Sequence, residues 1–303
     1  VKNIQEEIAN VKLLELKAKE IVKGFLIGHH QSPMHGYSVE FAEHKMYNPG
    51  ESIRHIDWKL YARTDKLYQK KYEEETNLRC QIVIDVSSSM LYPKNANVNK
   101  LSFSIYSAAA LIHLMVQQRD GVGITLCSDV IEMHTPAKLN HMHIQYLYSK
   151  LSELLEISHQ SLNKKTDISD NLHQLAEIIH QRSLVIIFSD MLDHENDLFH
   201  ALQHLRYRKH DVIVFHTLHY DTEMEFNFEN RPYEFVDMET GERIKMNSLE
   251  YKEYYQNYMK KFLSELQQKC YQFKIDFVPV NIKDAYNDVL QEYLIKRSKI
   301  LNK

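Results

Sequence analysis

Glycine is scarce in this 303-residue chain, with 7 in total, so a glycine-rich loop cradling a phosphate is not expected. Cysteine is scarcer still. Cys80, Cys127 and Cys270 lie far apart and show no C-x-x-C spacing, which argues against both a disulfide framework and a zinc knuckle. Cys80 and Cys127 fall in predicted buried strands, where a free thiol behaves as a small apolar residue. No apolar run approaches the roughly 18 residues of a membrane span. The opening segment VKNIQEEIANVKLLELKAKEIVKGF interleaves charges throughout and lacks the apolar core of a signal peptide. A soluble, cytoplasmic protein with no membrane span is expected. Basic charge is not in excess either: 37 Lys and Arg stand against 41 Asp and Glu, a formal net charge of -4. Nothing electrostatic points to a nucleic-acid partner.

What the chain does contain is globular: 44% hydrophobic and 26% charged residues. Residues 4–25 carry Ile4, Ile8, Val11, Leu14, Ile21, Val22 and Phe25 at helical spacing, an amphipathic helix whose stripe needs a surface behind it. Residues 26–76 are turn-rich and strand-rich, with YSVEFAEHKMY and KLYQKKYEE as short β-like runs. From residue 79 strands and helices alternate. RCQIVIDVS, GVGITLCS, SLVIIFSD, HDVIVFHTL and FKIDFVPV read as buried strands. VIEMH pairs back on the second of them, and YEFVDMETGERIKM makes a surface hairpin turning near Thr240 and Gly241. Helices are predicted over Lys100–Arg119, His143–Ile157, Ile168–Gln181, Asn196–Tyr207, 248–269 and Ala285–Arg297. Continuous apolar strands alternating with helices imply an α/β fold, a mostly parallel sheet covered on both faces. The expected division is an N-terminal helix with a small β-rich attachment over residues 1–76, then the α/β domain over 77–303.

In such sheets ligands bind beyond the carboxyl ends of the strands. The first strand ends in Asp85-Val86-Ser87-Ser88-Ser89, the third in Ser189-Asp190, and Lys165-Thr166-Asp167 precedes a predicted helix. Together they offer three carboxylates and several hydroxyls. An all-oxygen set suits Mg²⁺ or Mn²⁺, and two serines separated by one residue in a tight turn can aim both hydroxyls at one ion. Serines after a strand also cap helices, so the pattern gains weight only in combination, with Asp85 and Asp190 both directly following buried strands.

Asp85, Ser87 and Ser89 with Thr166 and Asp190 resemble the metal-ion-dependent adhesion site of von Willebrand factor A domains, whose fold is a Rossmann-like sheet of this kind. The segment YNPGESIRHIDWKLYARTDKLYQKKYEEETNLRCQIVIDVSSSM resembles, more narrowly, the bacterial family called domain of unknown function 58. The similarity continues through ITLCSD, KTDIS, VIIFSDM, HDVIVFH and FVDMETGE, from about Gly28 to Arg297. The resemblance implies that Ser87 and Ser89 ligate the metal directly, Thr166 does so in one state, and Asp85 and Asp190 act largely through water. It implies an open coordination position filled by an acidic side chain of a partner protein. It also implies partnership with a MoxR-type AAA+ ATPase in assembly or maturation of other proteins.

The alternative from another class is a Mg²⁺- or Mn²⁺-dependent hydrolase acting on phosphoesters. A haloacid-dehalogenase site needs a second carboxylate two residues after its nucleophile, where this chain has Ser87. No serine stands in a G-x-S-x-G elbow. His173 and His194 lie near the proposed site in sequence, but a general base has to come within hydrogen-bond reach. His29-His30, His141-x-His143 and His216-x-x-His219 lack thiol or carboxylate companions at zinc spacing. Arg54, Asp57, Trp58 and Arg63 read as a structural plug and ion pair, with a docking surface on the small β subdomain as the alternative. Tyr251, Tyr254, Tyr255 and Tyr258 fall on helical spacing and read as packing, whereas exposed tyrosines there would favour an interface. No catalytic residue is assigned, and a non-enzymatic interaction module is expected.

Overall fold

The computed structural model of the chain describes residues 4–28, 44–46, 60–61, 63, 68–70, 78–94, 96–157, 168–191, 195–238 and 240–301. Two compact units emerge: residues 1–26 with 78–303, and residues 27–77. The opening helix α1 (Ile4–Gly28) therefore belongs mostly with the large unit, where Leu14, Ala18, Val22 and Phe25 are buried in its core. In the small unit, β1 (His44–Met46) pairs antiparallel with β2 (Tyr68–Lys70).

The large unit is built on six strands: β3 (Arg79–Asp85), β4 (Gly121–Cys127), β5 (Ile131–His134), β6 (Leu184–Ser189), β7 (Asp211–Leu218) and β10 (Asp276–Asn281). Their spatial order is β10-β7-β6-β3-β4-β5, parallel except for the β4–β5 hairpin. Counted in chain order this is the 3-2-1-4-5-6 arrangement of doubly wound, Rossmann-like α/β sheets.

Strand side chains alternate between faces, and here both faces are dry. Cys80, Ile82 and Ile84 of β3, with Leu184, Ile186, Phe188, Ile213 and Phe215, point into one core. That core is covered by α1, α2 (Lys100–Gln117), α3 (His141–Ile157) and α7 (Asn287–Leu301). Val83, Val185, Ile187, Val212 and Val214 point into the other, under α4 (Ile168–Ile178), α5 (Glu195–Tyr207) and α6 (Ser248–Gln272). Burial on both faces is why these strands read as unbroken apolar runs. The surface hairpin is also present, β8 (Pro232–Val236) against β9 (Arg243–Asn247), with Gly241 in the turn at φ 75°.

Three helices that feed strands stop in an unusual way for want of glycine. A helix commonly ends on a left-handed residue, usually glycine, whose successor's N–H caps a carbonyl five residues back. Here Arg119, Lys209 and Lys274 take that conformation, at φ 58°, 66° and 57°. The N–H groups of Asp120, His210 and Ile275 then donate to Met115, Leu205 and Cys270. This is why α2 ends at Gln117, two residues before the sequence pattern ends. Each terminating residue is basic, and a cation there suits the negative end of the helix dipole.

Candidate metal centre at the carboxyl edge of the sheet

The chain leaves β3 in one direction through α2 to β4, and β6 lies on the other side. The crevice between β3 and β6 is thus the topological switch point, where a doubly wound sheet opens a ligand site. Register sets its contents. Ile84 pairs with Phe188, so Asp85 and Ser189 come next on adjacent strands, and the Ser189 hydroxyl donates to Asp85 Oδ2 at 2.7 Å. Beyond Asp85 the chain folds into a short 3₁₀ turn, Ser88–Leu91. The Ser87 N–H turns back onto Asp85 Oδ1 at 2.9 Å. The same turn brings the hydroxyls of Ser87 and Ser89 together, 3.0 Å apart. Asp85, Ser87, Ser189 and Asp190 are buried, and Ser89, only half-buried, marks the open side.

Asp190 is held from two directions. The Lys100 ammonium donates to its Oδ2 at 2.7 Å, and His216, on β7, donates from Nε2 to its backbone carbonyl at 2.8 Å. Its Oδ1 is buried and has no hydrogen-bond partner. Lys100 is the first residue of α2, whose start is fixed by a reciprocal box in which Asn99 Oδ1 accepts from Ser102 N at 2.8 Å and Ser102 Oγ accepts from Asn99 N at 2.9 Å. A cation at the positive end of a helix is unfavourable, and α2 has no acid in its first turn. Two carboxylates from elsewhere offset it: Asp190, and Glu223 at 2.8 Å. Glu223 lies in a single π-helical turn, Tyr220–Met224, after β7, and its Oε2 accepts from the His219 N–H at 2.6 Å.

These contacts set the charges. Burial, reinforced by the nearby Asp190, raises Asp85 from 3.8 to about 7 against the opposing hydrogen bonds from Ser87 and Ser189. Burial also pushes Asp190 upward, but the charge and hydrogen bond of Lys100 outweigh it, with help from the nearby Ser89 hydroxyl, and hold Asp190 below the usual carboxylate range. Burial works to lower Lys100, and Asp190 and Glu223 more than reverse it. Burial takes His216 down to about 4, so near neutral pH it is an uncharged donor through Nε2. Two carboxylates, Asp190 and Glu223, therefore meet one ammonium, and the Asp85 carboxyl lies close to Asp190.

The donor set fits a hard divalent cation. Ser87 Oγ, Ser89 Oγ and the unpartnered Asp190 Oδ1 are oxygens, and the pocket is short of positive charge. Mg²⁺ and Mn²⁺ accept such ligands while retaining several waters. Asp85 has both oxygens engaged, so its part is to fix the serine turn. Thr166, with Lys165 and Asp167, lies outside the described residues, as do His29, His30, His194, Arg54, Asp57 and Trp58. Arg63 is exposed. His173 is within hydrogen-bond distance of His204, Nδ1 to Nδ1 at 3.0 Å, tying α4 to α5. His143 donates to the Val122 carbonyl at 2.9 Å. Of the tyrosine run, Tyr255 is half-buried, whereas Tyr251, Tyr254 and Tyr258 are exposed.

Sequence reasoning missed Lys100, Glu223 and the bracing role of Ser189. Lys100 carried one signal, a cation at the first position of an otherwise apolar helix start. Glu223 carried none, because its partner lies 123 residues away. Among the described residues no helix is long and apolar enough to cross a membrane.

Comparison with known proteins gives these likenesses. The uncharacterized proteins Rv1480 of Mycobacterium tuberculosis and Mb1516 of Mycobacterium bovis are each 24% identical over 184 residues, 61% of this chain. The chain spans 57% of the length of these relatives. Among solved structures, the hypothetical protein BatB from Bacteroides thetaiotaomicron is similar at TM-score 0.47 and 15% identity, over 73% of this chain and 99% of that one. The VWA domain of SpRpn10 is similar at TM-score 0.38 and 11% identity, over 71% of this chain and 94% of that one. A family profile matches residues 43–266, and the chain belongs to the family it describes, Protein of unknown function DUF58.

Proposed function

We propose that the protein is a metal-dependent protein-interaction module. Ser87, Ser89 and Asp190 hold Mg²⁺ or Mn²⁺, and an acidic side chain of a partner protein completes the metal shell. The observation that carries this reading is Asp190 Oδ1. A buried carboxylate oxygen with no well-formed hydrogen bond is costly, and here it lies near the Ser89 hydroxyl, which converges with that of Ser87. When bound, the metal supplies a positive centre that attracts a carboxylate. Asp85 fixes the turn that presents the serines, and Lys100 holds the other oxygen of Asp190. The resemblance noted from sequence makes a MoxR-type AAA+ ATPase the proposed working partner, with assembly or maturation of other proteins as the process.

Hydrolysis of phosphoesters is the less supported reading. Both Asp85 oxygens are engaged, and the Ser189 hydroxyl that donates to Asp85 is fully buried. Neither can reach a substrate as a nucleophile without the site opening. Affinity capture from cell extract separates the readings. Partners, the ATPase among them, are expected on wild-type protein in Mg²⁺ and absent in chelator or on Asp85→Ala. Equal capture in chelator contradicts the proposal, and metal-dependent phosphoester turnover lost in Asp85→Ala favours the hydrolase.

A further inference from the structure

Ser89 and Lys100, with Tyr92, Thr222 and Glu223, also line a cavity of about 400 Å³. Much of the remaining lining is aromatic. Phe226, Phe228, Phe235 and Tyr255 line it, with Phe226 at the centre, its ring centroid 4.6 Å from Tyr255, 5.0 Å from Phe228 and 5.6 Å from Phe235. These rings come from three separate places: the loop after β7, the β8 strand and α6. Phe226 takes a left-handed backbone at φ 47°. For a bulky residue that conformation is costly, and it persists only where its surroundings impose it. An apolar patch that serves only to pack would close over its rings. Here Phe228, Phe235 and Tyr255 remain half-buried around open space, and Val236 at the rim is 48% exposed.

Polar and apolar linings together define an occupant. A cation on Ser87 and Ser89 attracts a carboxylate, Lys100 being already paired with Asp190 and Glu223, while the aromatic lining takes one large apolar side chain, and the Asp237 carboxylate beside it disfavours a second acid there. We infer that the cavity is the specificity pocket of the interaction site: the partner presents an acidic residue to the metal and inserts an adjoining aromatic or large aliphatic side chain among Phe226, Phe228, Phe235 and Tyr255. This inference rests on the metal-dependent reading proposed above. It assigns to the hairpin β8–β9 and to α6 a direct part in recognition, which the metal site alone does not.

The test uses synthetic eight-residue peptides and the full chain, followed by fluorescence anisotropy in Mg²⁺ and in chelator. One peptide carries Asp followed by Phe in a Gly/Ser frame, a second Asp followed by Ala, a third Asn followed by Phe. Mn²⁺ binding is measured separately by electron paramagnetic resonance. The Asp-Phe peptide is expected to bind wild-type protein in Mg²⁺ about tenfold or more tighter than Asp-Ala, the change expected for burying one aromatic side chain. Phe235→Ala is expected to erase that preference while leaving Mn²⁺ affinity unchanged. Val236→Glu, at an exposed position, is a second variant with the same expectation should Phe235→Ala misfold. Equal binding of Asp-Phe and Asp-Ala, or no peptide binding while Mn²⁺ binds, overturns the pocket and leaves the metal site standing. Absence of Mn²⁺ binding, or Asn-Phe binding as tightly as Asp-Phe in Mg²⁺, overturns the metal-dependent reading and the inference built on it.

Discussion

Replacing Asp85 by Asn should stabilise the metal-free protein at alkaline pH. In the fold the Asp85 carboxyl titrates near 7 rather than 3.8, chiefly because it is buried and secondly because Asp190 is close. Between those values the folded state keeps a proton that the unfolded chain has released. Stability therefore falls as pH rises from about 4 to about 7 and stays low above. The full cost in chelator at pH 8 is at most about 4 kcal/mol, since each pH unit of displacement is worth about 1.4 kcal/mol. Asn has the same shape and stays neutral. Its Oδ1 can accept from the Ser87 N–H, and its amide can donate to Ser189 Oγ. Even half of that cost, recovered, raises the melting temperature by about 5 °C in a unit of this size. Thermal unfolding in chelator should show Asp85→Asn above wild type at pH 8, with the gap shrinking by about 3 kcal/mol by pH 5. Mg²⁺ should raise both proteins, and wild type by more, because the variant keeps the serine turn but lacks the Asp85 charge. A gap that is constant with pH, or a variant less stable than wild type at pH 8 in chelator, refutes the charge assignment.

Lys100→Met leaves Asp190 and Glu223 without their buried cation and should cost about 3–5 kcal/mol in chelator. Mg²⁺ should restore a larger share of stability to this variant than to wild type, because a repelling charge beside the metal is gone; calorimetry in both conditions checks it. Lys209→Gly and Lys274→Gly relieve left-handed backbone at two exposed helix ends and should each add about 1 kcal/mol in urea unfolding; a loss at both sites contradicts the helix-end argument. Cys80, Cys127 and Cys270 are free and buried, and burial raises their thiols. A thiol-reactive dye at pH 8 should label none of them in the native state and all three in denaturant.

The fold was legible because the strands are buried on both faces. RCQIVID, GVGITLC, LVIIFS and DVIVFHTL are continuous apolar runs, and a parallel sheet is the arrangement that hides both sides of such a run. Asp85, Ser87 and Ser89 were legible for a local reason, since one turn carries all three. Asp190 followed from the rule that strand ends converge. Lys100 and Glu223 were not legible because neither is adjacent in sequence to the carboxyl group or ammonium that gives it meaning. The aromatic cavity was hidden for the same reason: YEFVDMETGERIKM read as a surface hairpin, and nothing in its alternation says that Phe235 meets Phe226 and that both ring a space beside Ser89. The end of α2 was misjudged because a basic residue, Arg119, stands in for the glycine that normally marks it.

The central claim is that the serine turn and Asp190 bind a divalent cation, and titration of Mn²⁺ into the purified chain, read by the loss of the free-ion resonance signal, tests it most directly. The account predicts one Mn²⁺ per chain, displaced by excess Mg²⁺, with affinity reduced at least tenfold in Ser87→Ala and Ser89→Ala proteins that remain folded. Mn²⁺ binding that is unchanged in both variants, or no binding at millimolar metal, would contradict it.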